Sequence, residues 1–152
     1  LAVISAPGTG WLAEARLSVL DANYDEIDTG NTLIARDNDF ERVPETAASL
    51  GLSRELPLGD NGTLILRGDW SYRSKTFNDA YNTALLETDS TDLIDASVRW
   101  LSADEAWTVT LSGTNLTDEA YLVTGVYGTA FQSFEGLFDR GRELRLEVRR
   151  DF

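Results

Sequence analysis

From Thr63 to Lys75 every second side chain is apolar or small: Leu64, Leu66, Gly68, Trp70 and Tyr72 fall on one side, Arg67, Asp69, Ser71, Arg73 and Lys75 on the other. Only Ile65 blurs the polar side. A period of two places successive side chains on opposite faces of a strand. The same alternation returns in five more blocks. Glu143 to Phe152 sets Leu144, Leu146, Val148 and Phe152 against Glu143, Arg145, Glu147, Arg149 and Asp151, with Arg150 out of step. Asp92 to Trp100 and Trp107 to Asn115 alternate without a slip. Trp11 to Val19 and Ala48 to Leu56 are rougher, with Leu12, Leu20 and Arg54 misplaced. Helical periodicity is weak throughout, so the pattern predicts an all-β chain, an antiparallel up-and-down meander of about six strands.

The connections sharpen this picture. Pro57 to Gly62 and Leu101 to Ala106 are short, and Asn61-Gly62 is a tight-turn signal. Asp25 to Arg42, Thr76 to Thr91 and Leu116 to Arg140 are long and polar. Short and long connections alternate, so one end of the sheet carries turns and the other carries loops, the asymmetry of a transmembrane β-barrel. Trp11, Trp100, Trp107 and Phe152 then fall on apolar faces at the turn end, and Trp70 and Tyr72 near the loop end. These are the heights at which aromatic side chains border a bilayer. Arg54 and Arg150 also sit at the turn end, where a long cation can snorkel to the headgroups. The alternative is a soluble β-sandwich of the carbohydrate-binding type, in which the apolar faces pack against a second sheet and aromatic rings stack on sugars. That fold predicts aromatics grouped on a polar face, which the chain does not show.

Composition excludes several classes of function. The 152 residues suit one structural unit, and a chain that starts at Leu1 and contains no Met reads as a piece of a longer protein. With no Cys and no His there is no thiolate nucleophile, no disulfide framework, no usual zinc site and no Ser-His-Asp relay. No pair of carboxylates stands out as a glycosidase pair, so the chain reads as no enzyme, with no cofactor. A net charge of −13 argues against a nucleic-acid partner. No apolar run is long enough for a membrane helix, which barrel strands do not need.

Three segments resemble the carboxy-terminal end of the TonB-dependent receptors of the bacterial outer membrane. They are Val43 to Leu52, Trp70 to Lys75, and Gly113 to Tyr121, within which Asn115-Leu116-Thr117-Asp118 is the most diagnostic run. The resemblance implies that residues 1–152 are a carboxy-terminal fragment of a 22-stranded barrel domain without its plug domain. Such a receptor takes up a bulky nutrient such as a ferric siderophore, energised through TonB. The implied partners are outer-membrane lipid, the plug domain, the remaining barrel strands, the TonB complex and the barrel-assembly machinery. Phe152 resembles the terminal aromatic that this machinery reads, although Arg150 stands where the family favours an apolar residue.

On this reading Arg67, Asp69, Arg73, Lys75, Asp95, Arg99, Arg145, Glu147 and Arg149 line the lumen, with ion pairs expected across neighbouring strands. Arg73 and Lys75, nearest the extracellular mouth, are the candidates for contacting an anionic chelate. Tyr121, Tyr127, Phe131, Phe134 and Phe138 make the last long loop aromatic, with Gly125, Gly128 and Gly136 as hinges. Such a loop suits either closure over a ligand or packing against its neighbours, and Tyr121, Tyr127 and Phe131 join the substrate-binding candidates. Asp37, Asn38, Asp39, Asp89 and Asp92 are oxygen ligands of the kind calcium takes, without EF-hand spacing.

Overall fold

The computed structural model describes residues 2–5, 9–27 and 34–152. Its main sheet has seven strands, all antiparallel to their neighbours: β1 (Ala2–Ser5), β2 (Trp11–Val19), β3 (Thr46–Pro57), β4 (Thr63–Arg73), β7 (Thr91–Leu101), β8 (Trp107–Thr114) and β11 (Glu143–Arg150). All six blocks of alternation are found, and β1 precedes them. Two small hairpins stand in the long connections. β5 (Thr76–Phe77) pairs with β6 (Glu87–Thr88), and β9 (Leu122–Gly128) pairs with β10 (Ser133–Phe138). Residues 28–33 of the first long connection lie outside the described residues.

Register aligns the faces across the sheet. Leu52, Gly68, Ala96, Gly113 and Leu144 stand side by side, as do Arg54, Leu66, Val98, Leu111 and Leu146. No second layer covers this apolar face among the described residues: Leu50 is 55 % exposed and Leu111 52 %. On the polar face Ser49, Ser53, Asp95, Ser97 and Ser112 are half-buried, while Ser71, Arg99, Arg145 and Glu147 are exposed. A water-soluble sandwich buries its apolar side, and this sheet leaves that side open. Each outward leucine gains about 1.5–3 kcal/mol on leaving water, so the face calls for an apolar solvent such as acyl chains. Along β4, Leu64 to Tyr72 rises about 27 Å, or roughly 20 Å along the membrane normal at a barrel's tilt, close to the ~25 Å apolar band of such proteins.

The tight turns lie together at one end. In the turn after β3, Gly59 and Gly62 take positive φ of 60° and 90° rather than Asn61. A Cβ on Gly62 would collide with the Leu101 carbonyl oxygen, so glycine is needed for fit as well as for φ. After β7, the Ser102 hydroxyl donates to Asp104 at 2.5 Å and the Ala106 N–H donates at 3.2 Å. The hydroxyl first, then the amide, hold the Asp104 carboxyl below its usual range.

On the polar face, the expected cross-strand ion pairing takes a different form. Directly opposite partners offer no complementary charge: Asp69 faces Gly51 and Asp95, Arg145 faces Ser112, and Glu147 faces Thr110. The pairs therefore run along strands, two residues apart, as Arg67 to Asp69 (2.6 Å), Arg145 to Glu147 (2.8 Å) and Arg149 to Asp151 (2.8 Å). Arg67 also reaches across, to Glu14 at 3.1 Å, passing over Gly51. A Cβ on Gly51 would lie 2.9 Å from Asp69 Oδ1 and 3.2 Å from the Arg67 guanidinium, closing that passage.

The open apolar face makes a direct prediction for the parent protein. Leu111→Lys, outward and mid-strand, is expected to lower folded stability in vesicles by about 2–4 kcal/mol. Thr110→Lys, inward between Arg99 and Glu147, is expected to cost far less, as read by denaturant titration of heat-modifiable migration.

Candidate functional site: the loop cap and the mouth of the lumen

The most buried apolar side chains among the described residues lie in the loops. Phe77, Leu86 and Leu122 are 7 %, 3 % and 6 % exposed, and all belong to the connections at the loop end. These connections pack into one cap. The Asn38 amide donates to the Ala80 carbonyl at 2.8 Å, and Asn82 accepts from the Asp39 N–H at 2.7 Å while donating to the Asp39 carbonyl at 3.0 Å. The Arg42 N–H donates to the Phe77 carbonyl at 2.8 Å, and its guanidinium donates to the Thr124 hydroxyl at 2.7 Å. The buried Thr88 hydroxyl donates to the Leu122 carbonyl at 2.8 Å. Asn38 and Asp92 thus have protein partners, Asp92 accepting from the Trp70 indole at 3.1 Å.

Asn115 is the hub of the last loop. It is 6 % exposed with a φ of 48°, a backbone state that asparagine tolerates better than most residues. Its N–H donates to Asp95 at 2.8 Å. Its side-chain oxygen accepts from the Glu119 N–H at 3.0 Å and the Thr117 hydroxyl at 3.1 Å, and its amide donates to the Glu119 carbonyl at 2.8 Å and Asp139 at 3.1 Å. Asp118, at φ 59°, accepts the Arg142 N–H at 2.9 Å. Leu116 lies over Gly113, where a Cβ would come within 2.6 Å of it. The Asn115-Leu116-Thr117-Asp118 run is a turn that fastens both ends of the loop to β7 and β11.

The hairpin β9–β10 projects from this anchor. Gly125 and Gly136 are ordinary strand residues facing each other, rather than hinges. Their role is close approach: a Cβ on Gly125 would lie 3.0 Å from Leu86, and one on Gly136 2.7 Å from the Phe134 ring and 2.9 Å from Leu122. Part of the aromatic loop therefore packs on its neighbours. Phe131 does not: it stands 88 % exposed at the hairpin turn.

Of the substrate-contact candidates, the fold brings Arg73 and Tyr121 together, with the guanidinium 5.8 Å from the ring centre. The Arg73 Nε is buried with no hydrogen-bond partner, so this cation has unused donor capacity. Lys75 lies past the end of β4, 3.7 Å from Glu87 and 5.0 Å from the Phe77 ring, and is already paired. Tyr127 sits on β9 opposite Phe134. Tyr121 ionises above its ordinary value of 10.0, first because it is buried and next because the Asp139 charge opposes a phenolate. Asp139 was not a candidate from the sequence. It ties Tyr121 to Asn115, accepting from the asparagine amide while its own N–H donates to the Tyr121 carbonyl at 3.0 Å. An aspartate in a polar loop carries no sequence signal for such a role.

The outward aromatics stand where alternation places them. Trp11, Trp100 and Trp107 are at the turn end, with Trp100 donating to the Asn61 carbonyl at 2.8 Å. Trp70 and Tyr72 stack at the loop end, ring centres 6.5 Å apart. The exposed Phe152 ring lies 4.7 Å from the Arg150 guanidinium.

Residues 5–116 match the family model described as TonB dependent receptor-like, beta-barrel. The chain belongs to this family. TonB-dependent receptors are outer-membrane transporters rather than enzymes, and the sheet is a stretch of such a wall. Among solved structures, the chain is similar to the ferric yersiniabactin uptake receptor FyuA from Yersinia pestis, at 19 % identity with a TM-score of 0.80 over 96 % of the chain. It is also similar to BauA, the ferric preacinetobactin receptor from Acinetobacter baumannii (24 %, TM-score 0.72, 98 % of the chain), and to the siderophore receptor PiuA from the same organism (20 %, 0.72, 97 %). The chain spans 22 %, 21 % and 20 % of these receptors. At such identities the likeness is one of fold. No curated protein matches the chain significantly.

Two outcomes are expected for the cap of this TonB-dependent receptor segment. Asn115→Ala leaves buried donors and acceptors unpaired, at about 1–3 kcal/mol each, and the 116–142 loop should become the first site of limited proteolysis in the parent receptor. In a pH titration followed by tyrosine NMR, Tyr121 should ionise above the ordinary tyrosine range, and Asp139→Asn should bring it down. Because the folded value is raised, its contribution to loop stability is full below pH 10.0 and is lost as pH rises beyond it.

Proposed function

We propose that the chain is the carboxy-terminal wall of an outer-membrane receptor that imports a bulky anionic chelate, of the ferric siderophore type, with energy supplied through TonB. The carrying observation is a sheet whose apolar face no second layer covers among the described residues, in a chain that matches the receptor barrel family, topped by a packed cap rather than free loops. The polar face would meet the plug domain, which fits a surface of paired charges with little net demand. The aromatic at Phe152 and the outward face would engage the assembly machinery and lipid. The reading assigns the chain no enzymatic step, because the family it matches is one of transporters.

Arg73 is the residue proposed to touch the ligand. It stands on the lumen face at the mouth, flanked by the Tyr121 ring, with a buried Nε that no atom of the described residues accepts from. A cation beside an aromatic suits the catecholate, phenolate or carboxylate groups that bind ferric iron. Tyr127 and Phe131, on the hairpin, would cover the ligand from above. Lys75, already paired with Glu87, would contribute less.

The full-length receptor, titrated with candidate ferric chelates by tryptophan quenching, tests this. Arg73→Ala is expected to weaken binding about 10- to 100-fold, the worth of one charge-assisted hydrogen bond, and Lys75→Ala by less. Equal affinity in Arg73→Ala removes Arg73 from the site. Recovery of the wild-type parent in the soluble fraction removes the receptor reading itself.

A further inference from the structure

The outward face of the strands carries three charged residues among those described, and their placement is one-sided. Arg54 and Arg150 stand at the turn end, and Asp92 at the loop end. Both arginines are built into the same device. Trp11 opens β2 and faces Arg54 near the end of β3; Trp107 opens β8 and faces Arg150 at the end of β11. In each pair the guanidinium lies over the indole, at 4.8 Å for Arg54 and 5.0 Å for Arg150, and Arg150 also meets the Phe152 ring at 4.7 Å. The chain thus repeats one cross-strand unit, tryptophan going up and arginine coming down, on strands about 19 Å apart at four spacings of ~4.8 Å.

Neither arginine has a carboxylate within ion-pair distance among the described residues, in a chain with 26 acidic residues for 13 basic ones. An arginine that only needed neutralising would find an acid in such a chain. These two instead have aromatic faces, which hold the guanidinium plane while leaving its N–H edge free to donate. Asp104 feels the field of Arg150 without contacting it, so Arg54 is the cleaner of the two.

We propose that the Trp11–Arg54 and Trp107–Arg150 pairs are two docking sites for anionic glycerophospholipid, one headgroup each, in the leaflet on the turn side of the membrane. The lipid phosphodiester accepts from the guanidinium edge, and its acyl chains lie on the adjoining apolar face: Leu52 and Leu66 beside Arg54, Leu146 and Val148 above Arg150 on the membrane side. Three features select this occupant. The cations stand at headgroup height, they have no carboxylate within ion-pair distance among the described residues, and they are continuous with the surface already assigned to lipid. The loop end, with Asp92 as its outward charge, offers no such site. The proposal rests on the membrane-wall reading above.

The test uses the full-length receptor extracted from membranes and reconstituted in vesicles of phosphatidylcholine with phosphatidylglycerol, the retained lipid being counted by native mass spectrometry. Wild type is expected to retain phosphatidylglycerol over phosphatidylcholine by about fivefold per arginine, the effect of one basic side chain at a lipid surface. The double variant Arg54→Gln, Arg150→Gln should lose that preference. Arg149→Gln, which removes the same charge from the lumen face, should keep it. Equal retention of the two lipids by wild type overturns the proposal even if the variants do not fold. Unchanged preference in the double variant, an equal loss in Arg149→Gln, or displacement by inorganic phosphate also overturns it. Failure of wild type to enter membranes at all points instead to the wall reading.

Discussion

A strand in an apolar solvent must satisfy its backbone on its neighbours, because nothing in the surroundings can donate or accept. The rest of the molecule follows from this requirement. Seven antiparallel strands exchange their backbone hydrogen bonds in continuous ladders, and the side chains are left to meet two different solvents. Leu50, Ile94, Val98, Leu111 and Leu146 turn outward, and Arg67, Asp69, Asp95 and Glu147 turn inward. Such a sheet has no hydrophobic core of its own. On the proposed receptor reading, lipid on one side and further strands at the edges of β1 and β11 would supply its stability.

The packed interior that a soluble domain would place between its layers is found here in the loop cap. Phe77, Leu86 and Leu122 are buried where the chain is outside the membrane, and the polar groups around them are bonded to one another. Water is abundant there, so the hydrophobic effect can order loops that the sheet alone would leave free. Asn115 joins this cap to the wall. Through Asp95 it is held to β7, through Asp139 it holds Tyr121, and Tyr121 in turn faces Arg73. A residue that no ligand need touch is thereby linked to Arg73, whose buried Nε has no acceptor among the described residues.

Charge on the inner face shows how little freedom the ladder leaves. Register places Asp69 beside Asp95 and gives Arg145 and Glu147 hydroxyl partners, so the arginines turn along their own strands. Gly51 is the exception that allows Arg67 to bridge to Glu14, because the missing side chain opens a lane between strands. On the outer face the same geometry sets Trp11 against Arg54 and Trp107 against Arg150. Residues that look misplaced in a linear reading become partners once strands are aligned.

Alternation alone was enough to locate β2, β3, β4, β7, β8 and β11, because a two-residue period is a local property of side chains on an extended backbone. Loop lengths and the heights of Trp11, Trp70, Trp100 and Trp107 told membrane from sandwich, since a bilayer imposes its thickness on every strand alike. β1 was missed because Ala2 to Ser5 is too short to show a period. The hairpins β5–β6 and β9–β10, the cap of Asn38, Asn82, Arg42 and Thr88, and the role of Asp139 were not legible, since each depends on contacts between loops far apart in the chain. Gly125 and Gly136 looked like hinges for the same reason: composition reports that a side chain is missing, and only the neighbours Leu86, Leu122 and Phe134 report what fills the space. Strand identity and facing are written in nearest neighbours along the chain. The partners of each charge, aromatic ring and glycine were decided by register and loop packing, which come into being only when distant segments meet.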